Sequence, residues 1–182
     1  MTRLFTLRPA RPEDREAILE CLRPWNMHHV PSPEMERIEL DCFFVAELAG
    51  RIVGAAGYTF LAPGHGKTTL LGVLPQHHAL GIGAALQEAR VQAMAEQGAT
   101  KITTNADRPR VITWYKKHWG YREVRRLPKL HSFRDDAMAE WTTLEMEVGA
   151  WKAGREGGMS LAGGRRAWSL PDRVVPHNND GS

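Results

Sequence analysis

Residues 70 to 86 read Leu-Leu-Gly-Val-Leu-Pro, then Gln-His-His-Ala-Leu, then Gly-Ile-Gly-Ala-Ala-Leu. An apolar run stops at Pro75, a short polar turn follows, and Gly81-Ile82-Gly83 opens a helical pattern. A strand, a turn and a glycine-led helix make an anion cradle. The helix start presents unpaired backbone N–H groups, and the glycines let a phosphate approach them closely. This part of the chain is built to hold a pyrophosphate against a helix N-terminus.

The 182 residues suffice for one domain with a real core. No apolar run approaches the ~20 residues of a membrane span. The start at Met1 lacks the long apolar stretch of a signal peptide, so the expected location is cytoplasmic. Cys21 and Cys42 are too few for a disulfide framework and read as reduced thiols. The pI of about 9.1 suggests nucleic acid, but residues 150–182 hold five of the Lys/Arg and three of the Asp/Glu. Most of the net charge of +3 therefore lies in that stretch, which is a poor footprint for nucleic-acid binding.

Thr2–Arg8 alternates as a strand, and Pro12-Glu13-Asp14 reads as a helix first turn followed by an apolar face of Ile18, Cys21, Leu22 and Trp25. A second short helix is expected over Pro33–Leu40. Strands follow over Cys42–Leu48, Ile52–Phe60 and Lys67–Leu74, the first two as a hairpin. Gly54 and Gly57 predict close approach by another element. The helix after Gly83 should turn Ile82, Leu86, Ala89 and Ala93 inward. Lys101–Thr104 is a strand, Asp107 and Pro109 start a helix that Gly120 stops, and Tyr121–Val124 and Trp141–Val148 close the sheet. The order predicts a mixed α/β (α+β) domain over residues 1–149. After Val148 periodicity decays, six of the 17 glycines fall in residues 150–182, and a flexible tail is expected there, with one helical turn near Trp151.

Two phosphate motifs fail. A dinucleotide fold wants G-x-G-x-x-G, and Leu86 occupies the third position. A P-loop wants a glycine where Leu61 stands before Gly66-Lys67-Thr68. A third pattern fits. Val73, Pro75, His78, Gly81 and Gly83, with Asn105 and Tyr115…Gly120-Tyr121 further on, resemble the GCN5-related N-acetyltransferase (GNAT) family over about Arg3–Val148. The segments Trp25–Pro33, Asp41–Glu47 and Thr103–Pro109 look like a bacterial subgroup, here as a stand-alone member. Some of that subgroup's chains are fused to β-keto acid cleavage enzymes of lysine fermentation.

The resemblance implies a splayed central sheet of about seven strands flanked by helices. It implies acetyl-CoA as acetyl donor and no metal. The acetyl group would pass to a primary amine of a small molecule, an amino-acid-like acceptor being favoured, by direct attack through a tetrahedral intermediate. Leu71 and Val73 would hold the pantetheine arm. His78, Ala79, Leu80, Gly81, Ile82, Gly83 and Ala84 would cradle the pyrophosphate, with Asn105 lining the cleft. Trp25, His28, His29 and Asp41 would face the acceptor.

Two departures from the family pattern stand out. His78 replaces the usual Arg or Gln. Tyr115 lies five residues before Gly120 rather than four, and one helical residue is ~100° of rotation. Either the helix end absorbs the extra residue or the phenol points elsewhere. Tyr115 is the candidate general acid for the departing thiolate, its other reading being an amphipathic core tyrosine. The base is open among Glu47, Asp41, the pair His28-His29, and water; Lys67–Leu71 carries no acid. Competing functions are a non-catalytic acyl-CoA sensor, a protein or peptide N-acetyltransferase, and an RNA-associated module. Neither a nucleic-acid nor a membrane partner is expected, and the exposed sheet edges are compatible with a homodimer.

Overall fold

A computed structural model describes residues 4–29, 34 and 37–156. Seven strands form one sheet in the order β1-β2-β3-β4-β5-β7-β6. They are β1 (Thr6–Pro9), β2 (Phe43–Leu48), β3 (Arg51–Ala62), β4 (His65–Val73), β5 (Lys101–Ala106), β6 (Arg122–Pro128) and β7 (Glu140–Glu147). All neighbours are antiparallel except β4 and β5.

Apolar runs explain the layers. β2 is buried on both faces, so it reads Phe-Phe-Val-Ala without alternation. Phe43 and Val45 pack with Ile18, Cys21 and Leu22 of α1 (Arg15–Leu22). Phe44 and Ala46 face the other way, into a core with Ile82, Leu86 and Met94 of α2 (Ile82–Glu96) and Trp119 of α3 (Pro109–Trp119). Gly54 meets its expectation of close approach: a Cβ there would lie 3.0 Å from Ile82 Cγ2, so the missing side chain lets α2 sit down on β3.

The sheet opens at its centre. β4 and β5 pair only at His65–Lys67 against Lys101–Thr103, and the rest of β4 pairs with β3 alone. A register shift between Ala56 and Tyr58 bends the β3–β4 ladder just past that point. The expected splay is therefore present.

Several local expectations shift. Of the helix expected over Pro33–Leu40, residues 33, 35 and 36 lie outside the described residues; among the described ones Glu34 is in a turn, and a 3-10 turn forms at Leu40–Cys42. Asp107 does not cap α3. Arg108 occupies the N-cap without a side-chain bond, because the Asp107 carboxylate is taken by Lys129 Nζ at 2.8 Å. The chain past Gly149 continues in α4 (Val148–Glu156), where Trp151 is buried and Arg155 pairs with Glu88 of α2. Residues 157–182, and with them the rest of the expected tail, lie outside the described residues.

Candidate active site

The parting of β4 from β5 leaves a cavity of about 590 Å³. One end is the strand–turn–helix junction at which a cradle is expected. A 3-10 turn over Pro75–Leu80 leads to Gly81, whose φ of 74° is left-handed and suits glycine. The first α2 bond runs from Ala85 N–H to Gly81 O at 3.1 Å, so the amides of Ile82, Gly83 and Ala84 have no helical acceptor. Gly81, Gly83 and Ala84 line the cavity. A Cβ on Gly83 would stand 3.9 Å from both Leu71 and Val73, directed at the strand wall. Ile82 instead turns its side chain fully into the core.

The strand wall is Leu71 and Val73. The Val73 carbonyl accepts two bonds. Trp25 Nε1–H donates to it at 2.9 Å, and His78 Nε2 lies 3.2 Å away, which requires the tautomer protonated there. The two rings stack with centroids 4.7 Å apart. His78 is thus folded back onto the strand end rather than extended toward an anion.

The far wall comes from α3 and the loop before β7. Asp107, Arg108, Arg110, Val111 and Trp114 line it beside Tyr115, and Arg134 enters from the loop. The extra residue before Gly120 is absorbed at the helix end: the Gly120 N–H reaches back to Tyr115 O, five residues away. Tyr115 lines the cavity, is 5% exposed, and its phenol oxygen accepts a bond from Arg90 Nη2 at 3.0 Å. Arg90 was hidden from sequence reasoning because a mid-helix arginine ordinarily faces solvent. Asp107, Arg108, Arg110, Val111, Trp114 and Arg134 were also missed; Thr103–Pro109 was the only segment-level signal for some of them.

Other expected residues lie off the cavity lining. The Glu47 carboxylate accepts from Arg8 Nε at 3.2 Å, and Arg8 also binds Asp14 at 2.6 Å. The structure therefore ties Glu47 into a β1–β2 ion cluster and does not bring it to Tyr115. Asp41 is exposed on the Leu40–Cys42 turn. His28 and His29 follow Trp25, their rings 3.7 Å apart. Burial, then the neighbouring His29 and Arg23, hold the His28 imidazole below its ordinary pKa, and its Nδ1 is buried without a partner among the described residues. Asn105 accepts from Thr143 Oγ1 at 2.9 Å. Ala79 and Leu80 contribute backbone to the turn before Gly81. Among the described residues no three His, Cys, Asp or Glu are grouped to hold a metal ion, and no helix is long and apolar enough to cross a membrane.

Comparison with known proteins gives a consistent answer. The family model described as acetyltransferase (GNAT) family matches residues 11–121. The acetyltransferase SG1711 of Sodalis glossinidius is 32% identical over 122 residues, 61% of this chain and 83% of that protein. The acetyltransferase ECA0875 of Pectobacterium atrosepticum is 33% identical over the same length, covering 61% and 84%. Among solved structures, Ard1 from Thermoplasma volcanium superposes with a TM-score of 0.63 at 19% identity, covering 79% of this chain and 97% of that one. The yncA acetyltransferase from Salmonella typhimurium, solved with acetyl-CoA, gives 0.62 at 15% identity, covering 80% and 94%.

Proposed function

The chain belongs to the acetyltransferase (GNAT) family, and from that premise we propose that it moves an acetyl group from acetyl-CoA to the primary amine of a small, amino-acid-like molecule. The observation that carries the donor is the junction of free α2 amides with the gap between β4 and β5. The residues fit coenzyme A. Ile82, Gly83 and Ala84 offer N–H groups to a pyrophosphate, and the missing side chain of Gly83 keeps the cavity open beside Leu71 and Val73. Leu71 and Val73 flank the pantetheine arm along the free edge of β4. When bound, acetyl-CoA supplies an acyl carbon already activated as a thioester.

The remaining chemistry falls to the chain. Tyr115 is the proton donor to the departing sulfur, a phenol being protonated at neutral pH. Trp25 and Arg108 form the acceptor side of the cavity, the Arg108 guanidinium lying 6.0 Å over the indole. Water takes the proton of the acceptor's ammonium, since Glu47, Asp41, His28 and His29 all lie off the cavity lining. The acceptor class rests on the resemblance to a bacterial subgroup, some of whose chains are fused to β-keto acid cleavage enzymes of lysine fermentation.

Thiol release from acetyl-CoA across amino acids, polyamines, aminoglycosides and peptides tests the proposal. Release with amino-acid-like amines supports it. Tight acetyl-CoA binding with no thiol released across the panel overturns it in favour of a sensor, and release with peptides alone overturns the acceptor class. Gly83→Trp should weaken coenzyme A binding by at least about tenfold, or ~1.4 kcal/mol. An unchanged affinity by calorimetry refutes the cradle.

A further inference from the structure

Arg90, in the middle of α2, is wholly withdrawn from solvent. Its guanidinium makes four bonds, and every partner is neutral. Nε donates to Gln87 Oε1 at 2.7 Å, Nη1 to Gly57 O at 3.0 Å and to Leu70 O at 3.3 Å, and Nη2 to Tyr115 Oη at 3.0 Å. The two carbonyls lie where the β3–β4 register shifts and β4 leaves β5. No carboxylate among the described residues pairs with it. The nearby charge that acts on it is Arg134, which repels. Arginine stays protonated even when burial opposes it. A buried charge without a counter-ion is expensive, and an apolar side chain of similar volume would often serve packing better.

We propose that Arg90 is the positioning residue for Tyr115: it grips the phenol oxygen from outside the cavity, leaves the phenol proton free to turn inward, and stabilises the phenolate that forms when that proton is given up. The inference rests on the reading of Tyr115 as proton donor. Arg90 is not part of the cavity lining, whereas Tyr115 is. With the guanidinium occupying the oxygen as a donor, the O–H must find its acceptor elsewhere. As the amine nitrogen bonds to the acyl carbon, the carbon–sulfur bond breaks with its electron pair on sulfur. Tyr115 gives its proton to that sulfur, leaving a thiol and a phenolate. The newly acylated nitrogen must shed one proton, and the phenolate takes it, which restores the enzyme.

Before transfer Arg90 faces a neutral phenol, and after it an anion. The interaction strengthens along the reaction, which is the condition for lowering its barrier. Gln87 completes the mount: its Oε1 accepts from Arg90 while its Nε2 donates to Tyr121 Oη at 3.4 Å, and Tyr121 packs edge-on to Tyr115 with centroids 5.1 Å apart.

The test is a double-mutant cycle on kcat with coenzyme A affinity read in parallel by calorimetry. Arg90→Met should lower kcat by about 10- to 100-fold, within the range of a lost acid–base contribution, with coenzyme A affinity within about twofold. Tyr115→Phe should lose at least as much, and the double variant no more than the worse single, because both changes remove one device. Arg90→Lys keeps the charge and should recover part of the loss. Should the Met variant fail to fold, Arg90→Gln runs the same cycle. Multiplying losses, with Tyr115→Phe itself slow, overturn the role of Arg90 and leave the Tyr115 reading standing. Tyr115→Phe at full rate overturns the Tyr115 reading itself. A fall in coenzyme A affinity that matches the fall in rate overturns the inference in favour of a purely architectural arginine.

Discussion

Two buried cations stand behind the walls of the cavity, and the protein treats them oppositely. Lys129, at the start of the β6–β7 loop, is 6% exposed at its side chain and sits on Asp107, itself 3% exposed, at 2.8 Å. Its other two protons go to Phe133 O at 3.0 Å and Asp135 O at 2.7 Å, and its ammonium lies 4.4 Å over the Trp141 ring. Every donor is used and the charge is neutralised locally. Arg90 has hydrogen bonds but no anion. A compensated ion pair fixes shape, here that of the loop carrying Arg134 into the cavity. An uncompensated one leaves a field at the cavity floor that is worth most when a negative charge appears beside it.

The largest effect should come from breaking the compensated pair. Lys129→Met leaves the Asp107 carboxylate buried without its cation, and about 3–5 kcal/mol of stability should be lost in urea unfolding. Adding Asp107→Asn should restore much of it. A Lys129→Met loss below that of Arg90→Met would invert the comparison, since Arg90 has no buried anion to strand.

A smaller effect sharpens the boundary between scaffold and site. Trp25→Phe keeps most of the ring but removes the Nε1–H bond to Val73 O. About 1 kcal/mol of stability is expected to go with it, the usual worth of one hydrogen bond. His78 retains its place on the same carbonyl, so coenzyme A affinity should change little. A collapse of that affinity on calorimetry would move Trp25 from the acceptor side to the donor side.

Which parts of this arrangement were legible in the sequence follows from the range of the forces involved. The strand, turn and glycine-led helix around Gly81 depend on neighbours in the chain, so Leu70–Leu86 announced them. The succession of strands along the chain followed from apolar runs and from glycine and proline stops, whereas their order in the sheet, with β7 between β5 and β6, did not. The two buried cations did not show. Arg90 lies one turn after Leu86, on the flank of the inward face of α2, but an arginine is ordinarily solvated, and only the fold shows that Gly57 and Leu70 of distant strands supply its acceptors. Asp107 had a good local use as a helix cap and was taken instead by Lys129, 22 residues on. Glu47 looked like a base only while Arg8 was out of view, 39 residues earlier. Long-range charge pairing is set by the fold, and local patterns carry no record of it.

The smallest prediction concerns acid. Burial alone would raise the Asp107 pKa, but the bond from Lys129, the charge of Arg134 and the Asp135 amide outweigh it and hold the carboxyl below its ordinary value. A carboxyl whose pKa is lower folded than unfolded binds fewer protons in the folded state. Its stabilisation is complete above the unfolded pKa and disappears as pH falls through the folded one. The Arg90 cluster holds no carboxyl among its bonding partners, so the two regions should part company in acid. Below the ordinary carboxylate range, amide exchange in the 129–136 loop should accelerate ahead of exchange in the middle of α2. Asp14 contributes the same sign elsewhere, since the bond from Arg8 depresses its pKa and secures β1, so global stability falls too and the contrast must be read locally. The Glu34 carboxylate, which accepts the Leu130 and His131 amides and is also held below its ordinary pKa, guards the start of the loop with the same sign. Asp107→Asn, which cannot titrate, should therefore remove the early acceleration at Asp135, whose amide bonds Asp107, and leave that of Leu130 and His131 and the acid response of α2 unchanged; loop and helix opening together in the unmutated protein would mean that the ion pair and the arginine cluster form one cooperative unit.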